Sequence, residues 1–403
     1  MNEAKNKKIP ALLRDRGFLR LGLAVLVFNA GYSIYLFLFN FYLASQGQHE
    51  ARMGGLAGAM VLGGVLGALP AARAANRWGS ARTMAAFLLL CGLLLGLRLL
   101  PGPLGLEWFL ALLSGVFLSG WTVLIFPLIA AVTAEEQRAS AFQILYGLAT
   151  GAGCVGAVVG GNFPALCARL APGLSVADTQ RMGLLLGAGL VCLSTLWLPR
   201  TSLTARVETV ARMRMSKRLL ILLGVSALWA LLLGAMNPFS GIFFQSQFRM
   251  ELPDIGGFFF VVQAVVAVGL MLTGASGMAR LPAWVLLVGA QLVVATSFVG
   301  MATRTLLLAE AAYLTFMLAQ QLSQPALQSL LLGQASATER NQIAGWNAML
   351  AAVAQALAAQ GFGLLWGRWG YTAVLPFLAA GACAAAVVSA VVLRASENGT
   401  PTA

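Results

Sequence analysis

The chain has 403 residues, of which 59% are hydrophobic and only 10% are charged, too few charges to cover the surface of a water-soluble fold of this size. Its 26 Lys and Arg against 13 Asp and Glu give a net charge of +13, but the basic residues separate apolar runs instead of gathering among aromatics on one face, which excludes a nucleic-acid binder. The five cysteines, Cys91, Cys154, Cys167, Cys192 and Cys383, lie within or at the ends of apolar stretches without paired spacing, so neither a disulfide framework nor a cysteine metal site is expected.

Residues 1–20 are basic and lead into a long apolar run without a small-residue cleavage site, so the first helix is expected to be retained. A bilayer span needs about 20 predominantly apolar residues. Charged residues cut the chain into twelve such stretches, at 20–44, 53–73, 82–101, 108–133, 139–165, 181–199, 218–247, 255–279, 282–303, 304–334, 342–367 and 370–394. With both termini in the cytoplasm, nineteen of the 26 Lys and Arg residues fall on the cytoplasmic side, the side on which basic residues accumulate because they translocate poorly. Arg52, Arg98, Arg169, Arg181, Arg249, Arg304 and Arg368 are the outer remainder.

The longest hydrophilic connection, residues 200–217, divides the spans six and six, giving an N-terminal bundle over 1–199 and a C-terminal bundle over 218–403. The halves echo one another faintly. Asn29 precedes Ile34 and Tyr35 in span 1 as Asn237 precedes Ile242 and Phe243 in span 7, and Glu136-Gln137-Arg138 after span 4 matches Glu339-Arg340 after span 10. Repeated halves are common in transporters, whose solute site lies between them near the midplane.

Between spans 2 and 3 the sequence reads Ala72-Arg73-Ala74-Ala75-Asn76-Arg77-Trp78-Gly79-Ser80-Ala81-Arg82. This loop resembles the signature of the major facilitator superfamily: Gly, three residues, Asp, Arg, any residue, Gly, then basic residues. Arg77, Gly79 and Arg82 match, while Ala72 stands for the Gly and Asn76 for the Asp. The resemblance implies an all-α polytopic fold of twelve transmembrane helices in two six-helix bundles, with this loop latching their cytoplasmic ends. Asn76 can hydrogen-bond in that latch but brings no charge. In span 5, Ala152 to Gly161 is similar to the superfamily's antiporter motif, Gly, three residues, Gly-Pro, two residues, Gly-Gly. Gly156, Gly160 and Gly161 match, and Ala152 and Ala157 do not. That likeness implies efflux, although glycines at four-residue spacing also let helices pack closely in lipid.

Ionisable groups inside the hydrocarbon layer cost about 2.5–3.5 kcal/mol even on a lenient insertion scale, so each one needs a reason. Glu310 is the only acid placed within a span, about 9 Å from Arg304 along the helix axis. It is the candidate for proton coupling, against the alternatives of pairing with Arg304 or reaching outward. Glu310, Tyr313, Met317, Gln321, Gln324 and Gln328 return to one helical face. This polar stripe must face a cavity or another helix.

Asn29, Tyr32 and Ser33 in span 1, Trp121 in span 4, Asn237 and Ser240 in span 7, Gln263 in span 8, Tyr313, Gln321 and Gln324 in span 10, and Asn347 and Gln355 in span 11 complete the candidates for a solute cavity. Arg98 could hold an anion, but its long stem is expected to carry the charge to the headgroups. His49 is the only histidine and falls in an outer loop, so no histidine metal cluster or internal histidine relay is expected.

The expected function is secondary transport of a small organic solute by alternating access, as proton-coupled efflux of a neutral or amphipathic compound. The alternative is an uptake facilitator or proton symporter for a polar solute such as a sugar or nucleoside. A non-transporting receptor and a polytopic enzyme are the competitors of another class; no nucleophile with its base or phosphate loop favours an enzyme. The partners expected are the solute, protons and the lipid of a bacterial cytoplasmic membrane, with no cofactor, no metal and no nucleic acid, for a chain working as a monomer.

Overall fold

The computed structural model describes residues 15–199, 217–275, 282–333 and 340–397. The linker residues 200–216, with Arg280 and Glu339, lie outside the described residues. Within them the fold contains helices and no strand.

Six helices come before the linker: α1 Arg16–Ser45, α2 Glu50–Trp78, α3 Ser80–Leu97, α4 Leu104–Val132, α5 Arg138–Leu170 and α6 Val176–Ser194. After it come α7 Lys217–Met236, α8 Ser240–Phe248, α9 Leu252–Ala275, α10 Ala283–Met301, α11 Leu306–Leu332, α12 Arg340–Trp369 and α13 Tyr371–Glu397. Helix α1 starts earlier than the apolar ruler placed it because Asp15 caps it, accepting the Phe18 N–H at 2.7 Å, which satisfies a donor left over at a helix start.

The seventh span is interrupted. A 3-10 turn over Asn237–Phe239 separates α7 from α8, at the point where Pro238 supplies no N–H and crowds the preceding turn. Counted across that interruption, eleven described helical stretches are long and apolar enough to cross a bilayer. The remaining span is α11, with 27 residues, a length of about 40 Å. It carries more polar side chains than a typical span, with Glu310, Gln320, Gln321, Gln324 and Gln328 along it. The twelve spans and the all-α fold are as the sequence led one to expect.

The helices form two compact units. One comprises Met1–Gln48, Ala59–Thr209 and Glu251–Phe260, the other His49–Gly58, Val210–Met250 and Val261–Ala403. The opening turns of α2 group with the second unit and those of α9 with the first. In the first unit α1 packs on α5 and α6, and α3 on α4 and α6. In the second, α7 packs on α12 and α13, and α10 on α11 and α13. Counted as spans, these are the same pairings, so the faint repeat in the sequence has a structural counterpart.

Close backbone crossings hold the first unit together. A Cβ added to Gly63 would run into the Leu112 carbonyl oxygen, and one added to Gly115 into that of Met60. Lipid gives helices no hydrophobic reason to associate, so such contacts between small residues supply the van der Waals energy that does.

Candidate functional site

In the first unit an open cavity of about 700 Å³ is lined by Asn29 from α1, Trp121 and Phe126 from α4, and Phe142, Gln143 and Tyr146 from α5. Its wall is mainly aromatic and aliphatic with few polar groups, the usual make-up of a small-molecule site. Trp121 is fixed by stacking on Phe28, with ring centroids 3.9 Å apart, and Phe28 in turn stacks on Tyr32 at 5.6 Å. Asn29 donates to the Val25 carbonyl at 2.8 Å, which leaves its amide oxygen available to accept.

Of the candidates from this half, Asn29 and Trp121 thus meet at one cavity, and Tyr32 is half-buried one aromatic contact away. Ser33 is placed elsewhere: its side chain lies against Gly153 and Gly156 of α5. Gln143 and Tyr146 were missed because span 5 was read for its glycines. The signal was present, since a Gln and a Tyr three residues apart share one helical face.

Arg98 corrects its sequence reading. It is 8% exposed and does not extend to the headgroups. Its guanidinium lies 4.2 Å from the Phe39 ring centroid and 6.0 Å from that of Tyr35, and it touches the Met60 sulfur at 3.6 Å. No carboxylate pairs with it among the described residues. Stacking on aromatics contributes about 0.5–2 kcal/mol, and its place at the C-cap of α3 adds about 0.3–1 kcal/mol.

In the second unit the break in span 7 is the organising feature. Ser240, 5% exposed, donates to the Asn237 carbonyl at 3.2 Å and lies near the Tyr313 side chain. Tyr313 also meets Phe244 edge-on at 5.5 Å. Three candidates, Asn237, Ser240 and Tyr313, therefore lie close together where the helix ladder is interrupted, with Asn237 itself exposed. Glu310 precedes Tyr313 by about one turn of α11 and is half-buried. Among the described residues no ion pair links it to Arg304, which is exposed.

Gln321, Gln324 and Gln263 are half-buried. Asn347 is buried and accepts a hydrogen bond from Ser226, tying α12 to α7, and the Gln355 backbone packs on Gly234. A neighbouring link unforeseen from sequence is the Trp229 indole donating to Ser323 at 3.0 Å, both side chains buried.

In the loop motif, Asn76, Arg77 and Arg82 are exposed and Gly79 is buried. Gly79 has φ 86° and ψ 148°, a conformation open essentially to glycine alone. The span 5 motif is occupied by packing: Gly156 abuts Ser33 and the Ala30 carbonyl, Gly160 abuts Phe37, and Gly161 abuts the Leu252 carbonyl. No group of three or more metal-ligating side chains occurs among the described residues.

Comparison with known proteins agrees with the architecture. The family model described as Major Facilitator Superfamily matches residues 21–359. Among solved structures, a mutant of the nucleoside transporter NupG is similar with a TM-score of 0.78 at 13% identity, covering 93% of this chain and 99% of that one. A structure concerned with substrate recognition in proton dependent oligopeptide transporters has a TM-score of 0.70 at 13% identity, covering 95% and 99%. A bacterial homologue of the human lysosomal transporter Spinster, inward-facing and unoccupied, has a TM-score of 0.69 at 14% identity and covers 95% of each chain. No curated protein matches the sequence. At these identities the structural likenesses establish the fold alone; with the family match over most of its length, the chain is an integral membrane protein that belongs to the Major Facilitator Superfamily.

Proposed function

We propose that this protein is a secondary transporter that exports a small aromatic or amphipathic organic solute by alternating access of its two six-helix halves, residues 1–199 and 218–403, in exchange for protons. The observation that carries this reading is the open cavity of about 700 Å³ whose wall combines Trp121, Phe126, Phe142 and Tyr146 with the amides of Asn29 and Gln143. Aromatic faces bind an apolar body, and two amides orient one polar group on it.

Proton coupling is assigned to Glu310, one turn before Tyr313, which packs on Phe244 just beyond the interruption. Broken helices at membrane depth put backbone carbonyls and helix ends within reach of solutes and ions. The similarity in fold to proton dependent oligopeptide transporters is consistent with proton coupling, and the span 5 motif favours export. The protein is read as a monomer with both termini cytoplasmic, working without a cofactor.

The test is a proteoliposome assay with a pH-sensitive dye trapped inside and external aromatic amphiphiles, nucleosides and dipeptides supplied one at a time. An aromatic amphiphile is expected to drive a pH change that Trp121→Ala abolishes. A panel that moves no protons in any case overturns the coupled reading, and a response insensitive to Trp121→Ala overturns the cavity assignment.

A further inference from the structure

The wall of the cavity in the first unit offers hydrogen bonds of a definite sense. Asn29, which lines it, sends its amide nitrogen back to the Val25 carbonyl, one turn earlier on α1, at 2.8 Å. A carbonyl only accepts, so the atom facing it is the nitrogen, and the Oδ1 oxygen is the one left for the cavity. No donor among the described residues meets that oxygen. The bond to its own helix also holds the side chain in place.

This acceptor stands beside a ring. Gly17 lies against Val132 and Phe28 stacks on Trp121, equal steps along α1 and α4 in antiparallel register, so Trp121 reaches the cavity at the level of Asn29, the residue next to Phe28. Phe28 covers one face of the indole, with ring centroids 3.9 Å apart and planes 22° apart. The rest of the indole is open to a solute.

The wall itself carries no charge. None of the residues lining the cavity is Asp, Glu, His, Lys or Arg, so an ionic solute would give up water without gaining a counter-ion. Nor do the rings close around one point to hold a cation, as an aromatic cage does. Trp121 is paired with Phe28, and Phe126 with Phe142, whose centroids lie 5.7 Å apart with planes tilted by 38°.

We propose that Asn29 is the specificity-determining residue of this cavity and selects uncharged aromatic solutes with a hydrogen-bond donor next to the ring, of the aromatic carboxamide or lactam type. The donor lies on Asn29 Oδ1 and the ring against Trp121. This rests on the reading of the cavity as the solute site and narrows its solute to one chemical class. An aromatic ester of the same shape presents an oxygen where the amide presents its N–H, which sets lone pair against lone pair and leaves the Asn29 acceptor unpaired.

Full-length protein in phosphatidylcholine nanodiscs is titrated with N-methyl-2-naphthamide and methyl 2-naphthoate, which differ only in N–H against O. Two charged analogues, 2-naphthoate and protonated N-methyl-2-naphthylmethylamine, are titrated alongside, and binding to empty nanodiscs is subtracted. The wild type is expected to bind the amide about tenfold more tightly than the ester, and more tightly than either ion. Asn29→Leu should bind amide and ester equally. Asn29→Ser, whose short hydroxyl folds back onto its own helix, should do the same, so one folded variant of the two suffices. Trp121→Phe should weaken both neutral probes and leave their ratio unchanged.

Equal binding of amide and ester by the wild type, or a preference that survives in the Asn29 variants, overturns the assignment to Asn29. A tighter hold on either charged analogue overturns the uncharged class. An Asn29-dependent preference without movement of the amide in proteoliposomes leaves this proposal standing and defeats the transport reading. A pH change driven by aromatic amphiphiles and abolished by Trp121→Ala, without any amide preference, does the reverse.

Discussion

The indole of Trp366 donates to the backbone carbonyl of Ala235 at 3.1 Å, three residues before Pro238 in the interrupted seventh span. Trp366 is almost wholly buried and stacks on Tyr371 at 4.8 Å, so its donor reaches α7 from a fixed position. A side chain that bonds into the helix ladder next to a proline is a recognised cause of a bend. In a membrane, backbone groups near such a break need partners within the protein.

Trp366→Phe keeps an aromatic ring and removes the donor. The variant is expected to lose about 1–3 kcal/mol of stability, the cost of leaving a buried acceptor unsatisfied. Thermal unfolding of the purified protein followed by thiol-reactive dye or light scattering measures it. An unchanged unfolding temperature would show that the bond does not support the break.

The loop between α2 and α3 separates into two questions. Gly79 sits at φ 86°, so Gly79→Ala is expected to cost about 1–3 kcal/mol through backbone strain alone, and loss of transport in that variant says little about a latch. Arg77 and Arg82 are exposed. Arg77→Ala should change stability by no more than about 0.5 kcal/mol while slowing transport, if the loop latches the halves as the family resemblance implies. Transport at the wild-type rate in both Arg77→Ala and Arg82→Ala would remove the latch.

The orientation of the chain is tested by single cysteines. His49 lies between α1 and α2 and is exposed, and a cysteine there is expected to react with a membrane-impermeant maleimide added outside intact cells. One at Ser202, in the basic linker, should react only after the cells are opened. Labelling from outside at Ser202 but not at His49 would invert the topology, against the excess of Lys and Arg on the expected cytoplasmic side.

The spans were legible because a bilayer imposes one coarse length on every helix, and composition reads that length well. Even the weakest, α11, announced itself by the charges at its ends and by the regular spacing of Gln321, Gln324 and Gln328. What sequence spacing does not carry is the partner each face meets. Ser33 shares a helical face with Asn29, yet it fills the space left by Gly153 and Gly156, a fact set by how closely α5 approaches.

Arg98 shows the same limit more sharply. A long basic stem at a helix end normally reaches for water. Whether it does so depends on neighbours remote in sequence, here Phe39 and Met60, which cover and hold the guanidinium. Pro238 is a signal for the break that the continuous reading of span 7 over 218–247 leaves out, whereas the bond from Trp366 that meets it arises only from tertiary packing.

Glu310 poses the decisive test of coupling. It is half-buried, has no ion pair with Arg304 among the described residues, and stands one turn before Tyr313, which packs edge-on against Phe244 beyond the break. A carboxyl group there can carry a proton through the membrane layer as a neutral group and give it up when water reaches it, which avoids moving a bare charge through lipid. Glu310→Gln keeps the size and hydrogen-bonding capacity of the acid and removes the titration. The variant is expected to fold and to exchange solute down its gradient at near the wild-type rate. It should lose accumulation driven by a pH gradient. Solute exchange and pH-driven accumulation are measured in the same vesicle preparation, because a general defect lowers both and a coupling defect lowers only the second. Accumulation that persists in Glu310→Gln would mean that the proton travels by another group, and the polar stripe on α11 would then serve the solute or the packing alone.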